Sequence, residues 1–220
     1  MGIFDWFKAK EEKKLEQLLN GLSTEEGKAK AINWLVGRRR GKNVPLPLVE
    51  KAITFYEKQN SERERYSAIC IAREAGLSTE RLLELQQNLG YYEAAAELAE
   101  ETCQQELANK LYELAIEQYE QKGELYWAAN VAEMTGQDER AKLLYEGALN
   151  QCENDKEFYM AARIAKRLGY KDRAKTFNEQ AIEQCERRGD FFMAAEAAEE
   201  AGQLERATLY RTLDEIIFPR

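Results

Sequence analysis

The side chains able to carry out chemistry in this chain are carboxylates, lysines, arginines, tyrosines and four cysteines, because it contains no histidine. That absence removes histidine general bases, Ser–His and Cys–His nucleophile pairs, and most zinc sites. Carboxylates stand side by side at Glu11-Glu12, Glu25-Glu26, Glu100-Glu101 and Glu199-Glu200. Neighbours in a helical sequence point in different directions, so these are not acid/base pairs. Cys70, Cys103, Cys152 and Cys185 form no CxxC; Cys103 precedes Gly136 by the same interval, 33 residues, that separates Cys152 from Cys185. They read as small residues at helix contacts rather than a disulfide framework. No Gly-rich phosphate loop, GxSxG elbow or metal-ligand spacing occurs. These residues predict a protein that is not an enzyme and takes no cofactor or metal, and whose chemistry is recognition.

The elements that would position recognition residues are announced by repetition. Ala95-Ala96, Ala128-Ala129, Ala161-Ala162 and Ala194-Ala195 lie 33 residues apart. Three further columns share that displacement: Ala99, Ala132, Ala165 and Ala198; Ala108, Ala141, Ala174 and Ala207; Leu111, Leu144, Phe177 and Tyr210. A period of 20–50 residues with a fixed small/large pattern marks a stacked array of like units. Small residues allow helix backbones to cross closely, and large ones fill the gaps. Each unit has apolar residues for both neighbours and cannot bury them alone.

The expected architecture is therefore all-α, an α-solenoid of antiparallel helix pairs. Residues 1–22 form an apolar and basic tail with a short helix, 23–90 irregular helical pairs, and 91–220 four 33-residue hairpins. Helices are expected at about 24–38, 48–59, 62–75 and 79–88, then at 92–101, 105–121, 125–135, 138–154, 158–168, 171–188, 191–201 and 204–217. Ser23 with Glu26 and Ser61 with Glu64 fit capping boxes. The stretch Gly37–Pro47 is the clearest break, with two of the three prolines. Gly136, Gly169 and Gly202 mark the turn inside a pair, and Gly123 a turn between pairs. In the last unit Asp214 replaces Ala115, Ala148 and Ala181, and Arg211 replaces Tyr112 and Tyr145. Polar residues there predict that 203–218 cap the stack.

The net charge of −8 is uneven: residues 1–65 hold 14 of the 32 Lys+Arg and 10 of the 40 Asp+Glu, leaving 18 basic against 30 acidic side chains in the rest. An acidic array repels phosphates, so nucleic acid is not an expected partner. No apolar run approaches the ~18 residues needed to span a bilayer, and no secretory signal is recognisable, which makes the cytoplasm the expected compartment.

The second helices resemble those of the tetratricopeptide repeat family, through Ala108-Tyr112-Ala115, Ala141-Tyr145-Ala148 and the degenerate Ala174-Asn178-Ala181. The glycine-containing turn is matched at Gly136, Gly169 and Gly202. The chain departs from the family in its alanine-rich first helices, in Glu120, Glu153 and Glu186 where the family has proline, and in its period of 33. In its first helices it is more similar to the divergent repeats of vesicle-fusion adaptors of the soluble attachment type. The resemblance implies a right-handed superhelix whose concave face, lined by the first helices, binds a protein or peptide. Carried onto this sequence, that face comprises Glu93, Glu97 and Glu100; Tyr126, Asn130 and Glu133; Tyr159, Arg163, Lys166 and Arg167; Phe192, Glu196 and Glu199. The family's basic clamp for a terminal carboxylate is not reproduced, since Glu93 takes one position and Trp127, Met160 and Met193 another. The expected function is a non-catalytic adaptor that receives a helix or extended peptide of partly basic character between an aromatic row (Tyr126, Tyr159, Phe192) and flanking acids.

Two basic features stand outside the array. Ile3, Phe4, Trp6 and Phe7 precede Lys8, Lys10, Lys13 and Lys14. Four large apolar residues in five positions are seldom left in water. Three readings remain open: fold-back onto the first hairpin, membrane contact through residues 1–14, or a docking peptide. Membrane contact makes a peripheral, trafficking-type adaptor the second functional reading. Trp6 stands where a myristoylation signal needs Ser or Thr. Arg38-Arg39-Arg40-Gly41-Lys42 reads as a solvated basic loop suited to an acidic surface. Neither the partner nor the oligomeric state is specified.

Overall fold

The computed structural model describes residues 13–15, 17–39 and 44–218, and among these no strand occurs. Ile3, Phe4, Trp6, Phe7 and Arg40–Lys42 lie outside the described residues. Beyond a short helical stretch at 17–20, the helices are α1 (Glu25–Arg39), α2 (Leu46–Glu57), α3 (Glu62–Glu74), α4 (Thr79–Asn88), α5 (Tyr92–Glu101), α6 (Gln105–Lys122), α7 (Leu125–Met134), α8 (Asp138–Asp155), α9 (Phe158–Arg167), α10 (Lys171–Arg188), α11 (Phe191–Glu200) and α12 (Leu204–Ile217). The chain divides into two compact units, residues 1–111 and 112–220. In each, helices pack against their neighbours in chain order, as in an α-solenoid.

The period is realised in the joints. Cys103, Gly136, Gly169 and Gly202 have φ of 59°, 74°, 77° and 75°, the left-handed region that glycine enters without steric cost. The next residue's N–H returns to the carbonyl five residues back, at 2.8 Å for Gln104–Ala99, Gln137–Ala132, Tyr170–Ala165 and Gln203–Ala198. This is the Schellman closure of a helix C-terminus. The carbonyls of Gln104, Gln137, Tyr170 and Gln203 then accept the first bonds of the following helices, from the N–H groups of Ala108, Ala141, Ala174 and Ala207. One residue thus closes one helix and opens the next. Cys103 was expected at a helix contact; it is instead exposed and takes the turn conformation of a glycine.

In the first unit, Ile32 and Val36 of α1, Val49, Ala52 and Ile53 of α2, and Ile69, Ile71 and Ala72 of α3 form one buried cluster with Leu85 of α4. Two caps and the start of α2 differ from expectation. Thr24, not Ser23, caps α1, its Oγ1 accepting from Gly27 N at 3.0 Å. Ser61 sits at the N-cap of α3 but makes no side-chain cap bond. α1 runs through Gly37 to Arg39, within a residue of its expected end, while Pro47, expected in the break, lies in the first turn of α2. Proline is tolerated there because its missing N–H would have had no intrahelical acceptor.

The second unit stacks α7 on α8, α9 on α10 and α11 on α12, with α8 against α9 and α10 against α11. Ala128, Ala129, Ala161, Ala165, Ala194 and Ala198 are almost completely buried, as close helix crossing requires. Ile116, Leu149 and Ile182 are buried in one column of the second helices; each contributes about 1.5–3 kcal/mol relative to exposure.

A polar ladder accompanies this core. Arg140 Nη1 lies 2.7 Å from Glu113 Oε2 and its Nη2 3.2 Å from Glu120 Oε2, while Gln137 Nε2 donates to Glu113 Oε1. One repeat on, Tyr170 Oη donates to Glu146 and Arg173 Nη2 lies 2.7 Å from Glu153. At the next, Gln203 and Arg206 hold Glu179, at 2.9 Å for Arg206, which also lies 3.6 Å from Glu186. Each second helix thus grips the preceding one through two glutamates seven residues apart.

The last helix departs from the column pattern. Glu215 replaces the buried Ile116, Leu149 and Ile182, and it is exposed beside Arg211 and Asp214. Elsewhere on α12, Leu209 and Ile216 are 55% and 70% exposed, so its solvent side is not uniformly polar.

Candidate functional site

Burial of the alanine stripes turns the opposite side of α7, α9 and α11 outward, and the expected site residues of the second unit lie there. Tyr126 and Tyr159 are half-buried. Tyr126 meets Trp127 edge-on at 5.4 Å and tilts against the Tyr145 ring at 6.0 Å. Asn130 and Glu133 are brought together by a residue of α8: Tyr145 Oη lies 2.7 Å from Asn130 Oδ1 and 2.9 Å from Glu133 Oε2. Its single proton serves one acceptor at a time.

Arg167 completes this cluster from α9. Its Nη1 donates to Asn130 Oδ1 at 2.7 Å, its Nη2 lies 3.1 Å from Glu133 Oε2, and its guanidinium lies 5.4 Å from the Tyr145 ring centre. Burial, then the hydrogen bond to Glu133, pushes the Tyr145 phenol well above the ordinary tyrosine range. The cluster borders a cleft of about 220 Å³ that includes Lys142 and Leu168.

Farther along the unit, Arg163 lies 6.0 Å over the Tyr159 ring. Burial and then the Glu200 charge raise the Tyr159 pKa. Lys166 Nζ is 3.7 Å from Glu200 Oε2. Arg211 of α12 reaches Glu199 at 2.7 Å and Glu196 at 3.8 Å. Phe192 edges a cleft of about 420 Å³ shared with Arg211, Asp214, Glu215 and Phe218.

The acids of this face therefore have cations within the unit: Glu133 has Arg167, Glu196 and Glu199 have Arg211, and Glu200 has Lys166. The expectation that free acids select a basic ligand loses its basis here. Arg163 pairs with a ring rather than a carboxylate. The apolar surface is larger than expected: Trp127 and Met134, seven residues apart on one side of α7, are 54% and 56% exposed, and Phe192 is 50% exposed.

Tyr145 and Arg211 were not among the expected site residues because they belong to second helices and their contacts depend on stacking register. The i, i+7 spacing of Trp127 and Met134 was available as a signal. In the first unit, Glu93, Glu97 and Glu100 of α5 line one side of that helix. Burial, then the charges of Glu93, Glu101 and Glu100, raise the Glu97 pKa. Among the described residues no group of three or more Cys, Asp or Glu is placed to hold a metal, and no helix is long and apolar enough to cross a membrane.

No family model matches this chain, and no curated protein matches it. Among solved structures, the crystal structure of BtubC (BKLC) from P. vanneervenii is similar at 17% identity, covering 94% of this chain and 93% of that one, with a TM-score of 0.35. A likeness at that score carries no argument about function.

Proposed function

We propose that the chain is a non-catalytic protein-interaction scaffold of the cytoplasm, a divergent relative of tetratricopeptide adaptors, that binds a helix or extended peptide across the first helices of its second unit. The observation that carries this reading is the exposure of Trp127, Met134 and Phe192 on helices whose other side is fully committed to the core. Large apolar side chains left in water on an ordered face mark interaction sites, and aromatic ones supply anchor energy. Arg163 adds a cation for an acidic residue of the ligand. Tyr145, Arg167 and Arg211 hold the surrounding acids in place, so the face needs little reordering on binding.

The test is affinity capture with the wild type, Trp127→Ser, Phe192→Ser and Arg163→Glu, with Leu143→Ser as control; Leu143 is 69% exposed on a second helix. A partner lost with the first three variants and kept with the control is expected. Loss confined to the control, or capture indifferent to all four changes, would refute the assignment of the face. Thermal melts of the three site variants should stay close to the wild type.

A further inference from the structure

A second surface, away from the first-helix face, departs from the repeat in a directed way. Lys156 follows α8 in the left-handed conformation, φ 58° and ψ 34°. With Phe158, Gln184, Arg187 and Arg188 it lines a cleft of about 440 Å³. Gln184 Nε2 donates to the Lys156 carbonyl at 3.2 Å, tying α10 to this turn.

The array supplies its own comparison. Thirty-three residues earlier the same positions hold Gly123, Leu125, Gln151, Asn154 and Asp155. The turn is the same: Gly123 has φ 74°, and Glu124 N to Tyr119 O at 2.9 Å matches Glu157 N to Cys152 O at 2.8 Å. The apolar residue and the glutamine are kept in kind, while Gly, Asn and Asp become Lys, Arg and Arg. Lysine at a position where glycine is unstrained is a backbone outlier of the sort that collects at functional sites.

No carboxylate lines the cleft itself, although Asp155, Glu157 and Asp190 stand close by. Glu153 is held by Arg173, Glu186 by Arg206, and Asp190 accepts from Met193 N in capping α11. The Glu157 carboxylate lies 3.9 Å from Cys152 Sγ. Arg187 makes a 4.0 Å contact with the exposed Glu183, whereas Lys156 and Arg188 form no ion pair among the described residues. On a chain of net charge −8, the charged residues that line this cleft around Phe158 are all cationic.

We propose that this cleft docks an acidic peptide segment carrying one aromatic or large aliphatic residue, with Lys156, Arg187 and Arg188 meeting its carboxylates and Phe158 its apolar side chain. The experiment measures fluorescence anisotropy of a fluorescein-labelled Glu-Glu-Phe-Asp-Glu peptide against the full chain, beside a Gln-Gln-Phe-Asn-Gln control. The decisive variant carries Lys156→Gly, Arg187→Asn and Arg188→Asp, residues this backbone already accommodates one repeat earlier. The expected result is acidic-peptide binding that weakens with added salt, falls at least about tenfold in the triple variant, falls less in Arg188→Gln, and is unchanged in Trp127→Ser. A circular-dichroism melt of the triple variant at or above that of the wild type shows that the loss is not unfolding. Equal binding by the triple variant, or equal binding of the neutral peptide, overturns the proposal. So does binding to phosphatidylserine vesicles with none to the peptide, which would assign the cations to a lipid surface.

Discussion

Cys103 holds, at φ 59°, the left-handed backbone that Gly136 holds at φ 74° one repeat later. A side chain in that region costs about 1–2 kcal/mol, partly offset because glycine loses more freedom on folding. Cys103→Gly should therefore stabilise the chain by about 0.5–1 kcal/mol, read as a higher urea midpoint with an unchanged slope. A lower midpoint would show that the thiol side chain contributes more than the turn costs.

The pairing of Arg140 with Glu113 is partly exposed and cannot be worth much alone. A double-mutant cycle with Arg140→Gln and Glu113→Gln should give a coupling of about 0.3–1 kcal/mol that shrinks in molar salt. Coupling near zero at low salt would mean that the ladder sets register without adding stability.

Tyr145 makes stability depend on pH on the alkaline side. Its folded pKa lies above that of the free phenol because burial and the Glu133 carboxylate disfavour the phenolate. The folded chain keeps a proton that the unfolded chain releases above about pH 10, so stability present below that pH is lost as pH rises toward the folded pKa. Melting temperature should fall through this window, and Tyr145→Phe should flatten the fall while lowering stability near neutrality. Parallel pH profiles for the two proteins would contradict the linkage.

Ala162 lies buried where α9 crosses its neighbours. Ala162→Leu overfills that crossing and should cost roughly 1–3 kcal/mol. An unchanged thermal melt would show that the crossing has slack.

The helix order and the joints were legible because glycine at 33-residue intervals has a direct backbone consequence. Local signals with close competitors were less reliable: Thr24 displaced Ser23 as a cap one residue away, and Pro47, read as part of the break, lies in the first turn of α2. The face was legible as a set of positions, with Tyr126, Asn130, Tyr159, Arg163 and Phe192 on the first helices. Its electrostatics were not. Glu133 looks free until Arg167 arrives from the next hairpin, and Glu199 until Arg211 arrives from the last helix. Those pairings depend on how hairpins register in space, which composition and period do not encode.

The glutamate–arginine ladder also makes the first and last of these junctions alike. Gln203 and Arg206 grip their predecessor with the same residue types and spacing as Gln137 and Arg140. Excising residues 137–202 would present Gln203 and Arg206 to Glu113 and Glu120, an equivalent set of partners. At the level of this ladder, a double module can be removed without leaving either glutamate short of its partner types.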